Sequence, residues 1–442
     1  MLILLDLDGT LVNTVYPDWK TFKDGQENYN RVGFPERVPV FSGAKEFIES
    51  RKSKGDNLVV VSDSHPKYVE PICKMLGLES VSLADKPNLN KMKFFLDNHA
   101  EYKRQITEGD CVVIGDTKLD IEFGRKLEVC TVWLLIYNVI DEIKDSRDGT
   151  GDEIASRKMG PTYEARTFRE LEEILDHTQE NLYSIESVFA GSSSSRVVNF
   201  SLNRYQDGSF ARICCLARQE QGVCDKYARA DKYFMMSRPD RSQELLRSLA
   251  KGVSLCINHE RINNQTWDYF TYLTDKRTTV PPNKLKEIFD IVDTSIPKVQ
   301  LLRWNDGVDT SLRNMKLYAE RQSFLQKYLD VKENIDDISL KNGKRQVISV
   351  AGKNIIVLDD QLTTSATAWH VIRRLKQKGA RNILFIAMFQ MVLDVKNDMI
   401  CPRCGMPMHI KIKRSDGHRF YSCTPSCYGG NGCGYIIDIP HQ

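Results

Sequence analysis

Along the first part of the chain, apolar residues gather in short runs separated by stretches with an apolar residue every third or fourth position. Leu2–Leu5, Leu58–Val61, Cys111–Ile114 and Thr131–Ile136 read as buried strands. Gly43–Lys52, Lys67–Leu76 and Lys91–His99 read as the helices between them. This alternation predicts a parallel sheet with helices on both faces. A weaker strand and helix, running through Leu175, would close the unit. Gly191–Ser195 is a Gly/Ser run with the composition of a hinge. Beyond it, Ala211–Leu216, Tyr269–Leu273, Ile355–Leu358 and Ile383–Ala387 form a second set of apolar runs. The amphipathic stretch Gln361–Gly379 separates the last two. The fold class expected is α/β throughout: a first domain over 1–180, a linker over 181–195, a second α/β domain over 196–396, and a small cysteine-rich tail over 397–442.

Composition narrows this picture without redirecting it. The chain has 442 residues, 41% hydrophobic and 27% charged, as soluble globular proteins do. A net charge of +3 is too small for a polycation, so any nucleic-acid contact must come from a local patch. No apolar run reaches the roughly 18 residues of a membrane span, and Asp6 interrupts the N-terminal one. The expectation is a cytosolic, cytoplasmic protein with no membrane partner. Of its twelve cysteines, five lie between Cys401 and Cys433; most of the others sit in strand-like runs and read as buried thiols.

The first chemical signal is Leu4-Leu5-Asp6-Leu7-Asp8-Gly9-Thr10, two carboxylates where a strand leaves the sheet. Open α/β sheets bind ligands at that end of their strands. Ser62 ends the next strand, Lys86 follows in Asp85-Lys86-Pro87, and Gly115-Asp116-Thr117-Lys118-Leu119-Asp120 closes another. The ordered set resembles the haloacid dehalogenase superfamily, over about the first 180 residues. The resemblance implies a Rossmann-like hydrolase that uses Mg²⁺. Asp6 would be the nucleophile and Asp8 the acid and base. Ser62 and Lys86 would hold the phosphoryl oxygens. Asp6, the Asp8 carbonyl and Asp116 would ligate Mg²⁺, supported by Asp120. Carboxylates suit this hard cation. Little chain separates Thr10 from Gly43, so the cap expected is minimal, at most a short lid over Tyr16–Glu36.

The second signal is Asp359-Asp360-Gln361-Leu362-Thr363-Thr364-Ser365-Ala366-Thr367, following the strand Ile355–Leu358. A helix N-terminus offers free N–H groups to phosphate. Hydroxyls at Thr363, Thr364 and Thr367 add donors, and Asp359 and Asp360 can accept from vicinal sugar hydroxyls. The segment resembles the phosphoribosyl pyrophosphate loop of type I phosphoribosyltransferases, in particular the competence-type branch associated with DNA uptake. It implies phosphoribosyl pyrophosphate as co-substrate, bound by Asp359, Asp360 and residues 363–367. That family places glycine where Ser365 stands, because glycine accepts positive φ. Binding without transfer is therefore the alternative to transfer.

The third signal is Cys401-Pro402-Arg403-Cys404, followed by Cys423, Cys427 and Cys433. Four thiolates suit tetrahedral Zn²⁺. The segment resembles the zinc ribbons of bacterial type I topoisomerases, which implies Cys401, Cys404, Cys423 and Cys433 as ligands, with Cys427 the rival for the fourth place. Five basic and two acidic residues after position 400 make a modest positive excess. Together these signals point to a bifunctional Mg²⁺-dependent enzyme of nucleotide-like metabolism. It would hydrolyse a phosphorylated small molecule or nucleotide and transfer or bind a phosphoribosyl group. The alternative is a nucleic-acid-associated stress or defence factor. In it the hydrolase trims phosphorylated ends, the second domain senses ribose phosphates and the ribbon binds DNA or RNA.

Overall fold

The computed structural model of the chain describes residues 1–14, 17–29, 33–136, 156–220, 243–260, 266–274, 285–305, 318–331, 349–363, 365–392, 402–403, 408–412, 419–423 and 434–438. It divides into two compact units, Met1–Asn181 and Leu182–Gln442. No described helix is long and apolar enough to cross a membrane.

In the first unit, six parallel strands lie in the order β3-β2-β1-β4-β5-β6. They are β1 (Leu2–Leu5), β2 (Asn57–Val61), β3 (Glu79–Val81), β4 (Cys111–Gly115), β5 (Cys130–Leu134) and β6 (Tyr163–Ala165). The central strand β1 is buried at every position, as expected of a parallel strand covered on both faces. The connecting helices follow the apolar spacing: α2 (Ala44–Ser53), α3 (Pro66–Leu76), α4 (Asn90–Asp97), α5 (Ala100–Glu108), α6 (Lys118–Lys126) and α7 (Phe168–Asp176). Pro66 opens α3 at a position where a missing N–H costs nothing, and Gly77 ends it with positive φ. The described residues between β1 and α2 form a strap that contains the one-turn helix α1 (Lys20–Lys23). This is a Rossmann-like parallel α/β unit.

The second unit carries a five-stranded sheet in the order β7-β8-β13-β12-β9. Its strands are β7 (Val198–Arg204), β8 (Phe210–Glu220), β9 (Tyr269–Tyr272), β12 (Asn354–Leu362) and β13 (Asn382–Val392). Only the edge strand β7 is antiparallel to its neighbour. Alternate residues enter two separate cores. Ile213, Ile355, Val357 and Phe385 pack with Val371, Ile372 and Leu375 of a helix over Ala366–Gln377. Cys214, Ile356, Leu358 and Ile386 pack with Leu246, Leu249 and Val253 of a helix over Gln243–His259. The short strands β10 (Leu302–Trp304) and β11 (Leu329–Val331) pair with each other. Three further strands, β14 (His409–Ile412), β15 (Arg419–Ser422) and β16 (Ile436–Asp438), make an antiparallel sheet.

Two expectations are corrected. Of the linker expected over 181–195, Asn181 ends the first unit and residues 182–195 belong to the second. This stretch contains a helix, α8 (Ser184–Phe189), whose Glu186 forms a buried two-pronged ion pair with Arg218 of β8 at 2.8 and 2.7 Å. Two of the serines that read as a hinge, Ser192 and Ser194, bond locally to Ser187. The Ser187 hydroxyl donates to the Ser194 carbonyl, and the Ser194 N–H donates back to that hydroxyl. Secondly, β12 does not stop at Leu358. Its pairing with β13 continues through Asp359 to Leu362, so both carboxylates belong to the strand.

Candidate active site

Three strand ends of the first unit converge. Asp6 follows β1, and its N–H donates to Ile114 at the neighbouring end of β4 at 2.8 Å. Asp116 follows β4 directly. Asp120 sits in the first turn of α6, where its Oδ2 accepts from the Thr117 N–H and hydroxyl at 3.0 and 2.7 Å, a capping box. Gly115 makes this approach possible, because a Cβ there would lie 2.3 Å from the Asp120 carboxyl carbon. Carboxylate oxygens of Asp6, Asp116 and Asp120 all lie within 4.8 Å of one another.

Lys86 enters this acidic group from a loop laced to the end of β2. The Leu83 and Ala84 N–H groups donate to the Ser64 and Ser62 carbonyls at 3.1 and 3.0 Å. The Lys86 N–H donates to Asp63 at 2.8 Å. Leu83 and Asp85 adopt positive φ, 49° and 59°, so the loop holds backbone conformations that cost L residues free energy. The result is a buried ammonium whose Nζ donates to Asp6 Oδ1 at 2.6 Å and to Asp120 Oδ1 at 2.5 Å. Ser62, almost fully buried, follows β2 at the same sheet end; its Oγ accepts from the Ser64 N–H.

Burial pushes the Asp6 carboxyl well above the ordinary carboxylate range; Lys86 opposes this, and Asp120, Asp116 and Asp8 add to it. Burial by itself would lower the Lys86 ammonium, but Asp120 and Asp6 hold it above the usual lysine range. Among the described residues, the Lys86 ammonium lies within this group of three converging carboxylates. An all-oxygen donor set of three carboxylates fits a hard divalent cation such as Mg²⁺. Asp6, Asp116 and Asp120 are the side chains that could hold it.

Asp8 stands apart from the metal-type cluster. Its Oδ1 accepts from the Thr14 hydroxyl at 2.5 Å and the Tyr68 hydroxyl at 2.8 Å, and its Oδ2 from Ser64 at 2.9 Å. Lys23 of the strap lies 3.9 Å from Oδ1 and donates to the Thr14 carbonyl at 2.7 Å. Thr14, Ser64, Tyr68 and Lys23 were not singled out in the sequence. Their one sequence signal is polarity next to apolar runs, which many surface residues share.

In the second unit, Asp359 is buried near the end of β12, and its Oδ1 accepts from the Asp360 N–H at 2.8 Å. Burial, then the neighbouring Asp360 carboxylate, push Asp359 well above the ordinary range. Ser365 lies at φ 61°, ψ 5° immediately before the helix Ala366–Gln377, the backbone conformation that glycine favours. Ala366 is buried, and Thr363 and Thr367 are partly exposed. Thr364 lies outside the described residues. So do Cys401, Cys404, Cys427 and Cys433; Cys423, which is described, is buried against Met408.

Residues 20–125 match the family model for haloacid dehalogenase-like hydrolases. The first unit therefore carries a haloacid dehalogenase-like hydrolase domain. The matched stretch contains Ser62, Lys86, Asp116 and Asp120 and begins after Asp6 and Asp8. No curated protein matches the chain. Among solved structures the chain is similar to a phosphoserine phosphatase carrying a phospho-aspartyl intermediate analogue, at 21% identity, covering 40% of this chain and 97% of that one, TM-score 0.27. It is also similar to a haloacid dehalogenase family hydrolase from Deinococcus radiodurans R1 with bound phosphate and sodium, at 16% identity over 40% and 95%, TM-score 0.29. A hydrolase from Pseudomonas syringae is similar at 17% identity over 39% and 99%, TM-score 0.29.

Proposed function

We propose that the hydrolase domain is a Mg²⁺-dependent phosphatase acting on a phosphorylated small molecule or nucleotide. The observation that carries this reading is the convergence of the Asp6, Asp116 and Asp120 carboxylates around the buried Lys86 ammonium, with Asp8 held separately beside them. A carboxylate of Asp6 attacks phosphorus. The new O–P bond forms as the ester P–O bond breaks, giving an aspartyl-phosphate. Asp8 gives its proton to the departing oxygen, then takes one from the water that cleaves the aspartyl-phosphate and frees inorganic phosphate. Ser62 and Lys86 bind the phosphoryl oxygens. Asp6, the Asp8 carbonyl and Asp116 would hold Mg²⁺, with Asp120 in support. The cation supplies charge neutralisation, which lets an anionic nucleophile approach an anionic ester. The test is phosphate release from a panel of nucleotides and sugar phosphates by the wild type and by Asp6→Asn. Equal release by the two proteins removes the reading.

The second unit, on this proposal, binds phosphoribosyl pyrophosphate and presents it for transfer. Support comes from Ser365: a serine at positive φ before a helix N-terminus, just beyond the buried Asp359, is the backbone a phosphate loop needs. Titration calorimetry with phosphoribosyl pyrophosphate and Mg²⁺ tests it. Binding heat that survives Asp359→Asn unchanged, or no heat at all, counts against this role.

A further inference from the structure

We infer that Tyr68 and Thr14 are positioning residues for Asp8, holding its carboxyl for protonation of the leaving group. This rests on the phosphatase reading above. Asp8 is bound unevenly. Its Oδ1 accepts two hydroxyl hydrogen bonds, from Thr14 and Tyr68, while Oδ2 accepts one from Ser64. Two donors on one oxygen fix the carboxyl plane and leave Oδ2 as the oxygen with spare capacity to exchange a proton. Tyr68 and Thr14 have no exposed surface, so neither hydroxyl has water as an easy alternative partner.

Tyr68 is itself held from two sides. It lies in α3, whose N-terminal His65 donates its N–H to the Lys23 carbonyl of the strap at 2.8 Å. The Tyr68 ring packs against Phe34, centroids 5.8 Å apart, and Phe34 in turn contacts Phe22 and Tyr29. The strap therefore braces the residue that braces Asp8. A displaced Asp8 still leaves Asp6 able to attack, so the defect should fall on proton delivery and not on the nucleophile. Esters differ in how much they need that proton. An aryl phosphate expels a stable phenolate, whereas an alkyl phosphate expels an alkoxide that must be protonated as it leaves.

The experiment compares kcat/KM for p-nitrophenyl phosphate and for an alkyl phosphate such as glycerol 3-phosphate in the wild type, Tyr68→Phe and Thr14→Val. Both substitutions keep shape and remove one hydroxyl, and thermal unfolding checks that each variant is folded. The expected result is a loss of about tenfold or more on the alkyl ester against less than about threefold on the aryl ester. An equal loss on both esters, or none on either, overturns the positioning role. Thr14→Val carries the test if Tyr68→Phe does not fold. Asp6→Asn in the same series separates this outcome from failure of the phosphatase reading, since only the latter leaves phosphate release intact in that variant.

Discussion

Each unit places two aspartates near the end of a buried parallel strand, and burial raises the first carboxyl of each pair, yet their neighbours differ. In the first unit, Asp6 has an ammonium 2.6 Å away, and Lys86 also reaches Asp120. The acidic group is partly neutralised by the fold itself. In the second, burial and a second carboxylate raise Asp359, and its hydrogen bond comes from the Asp360 N–H. A buried carboxylate with an internal cation is a preassembled electrostatic site, stable enough to sit ready for phosphate and metal. Burial raises both carboxyls, and among the described residues only Asp6 has a cation against it. The first pair carries part of its neutralisation within the fold, and the second, among the described residues, does not.

The comparison breaks most visibly at the nucleophile. Asp6→Asn keeps the shape and removes the attacking charge, and should lower phosphate release by roughly 10⁴-fold or more. Steady-state assays with Mg²⁺ present read this directly. Next in size is Lys86→Met, which leaves the buried carboxylates facing one another. Loss of the cation should cost about 3–5 kcal/mol in the absence of metal. Denaturant unfolding in chelator measures it. Addition of Mg²⁺ should then stabilise Lys86→Met more than it stabilises the wild type, because the metal takes over a larger share of the neutralisation. An identical Mg²⁺ response in both would show that Lys86 and the metal do not share a charge balance.

In the first unit β1, β2, β4, β5, α2, α3 and α4 were legible because each is a single period, whereas β3, α5 and α6 were not read. Leu2–Leu5 and Leu58–Val61 are unbroken apolar runs, and the end of α3 is marked by Gly77. The four motifs were legible as residues but not as contacts. No spacing rule says that Lys86 reaches Asp120 across 34 positions, because that contact depends on how the loop after β3 is tied to Ser62–Ser64. Tyr68 was invisible for the same reason, since its partner Asp8 is 60 positions away. The serines of 192–195 misled because composition reports flexibility only where hydroxyls lack backbone partners, and here Ser187 and Ser194 bind each other. The extension of β12 was missed because two aspartates interrupt the apolar run while the pairing with β13 goes on.

On the other side of the comparison the effects are smaller and have the opposite sign. Asp359 is raised in the folded state, so folded protein binds more protons than unfolded protein between the ordinary and raised values. Its contribution is therefore fully present below the ordinary carboxylate range and is lost as pH rises through the raised one. Asp359→Asn removes that loss. The variant should unfold some degrees above wild type at pH 8, about 2–4 °C for each kcal/mol regained, with the gap narrowing at pH 5. Thermal unfolding at both values decides it. A gap that widens at low pH would mean that Asp359 is compensated by a cation after all, and the contrast between the units would disappear.

The smallest effect lies at Ser365. A non-glycine residue at φ 61° carries a cost of about 1–2 kcal/mol, while glycine gives back roughly 0.5–1 kcal/mol through its greater freedom when unfolded. Ser365→Gly should therefore stabilise the unit by at most about 1.5 kcal/mol, and Ser365→Val, whose branched side chain tolerates positive φ poorly, should destabilise it. If the strain is kept for the ligand, the glycine variant should also bind phosphoribosyl pyrophosphate as tightly as wild type or tighter, because the backbone N–H groups at the helix start do the binding. Calorimetry on the two variants separates the causes. Stability that rises while binding falls would place the value of Ser365 in its hydroxyl, and stability that does not move would mean that the neighbouring strand and helix hold this conformation whatever residue occupies it.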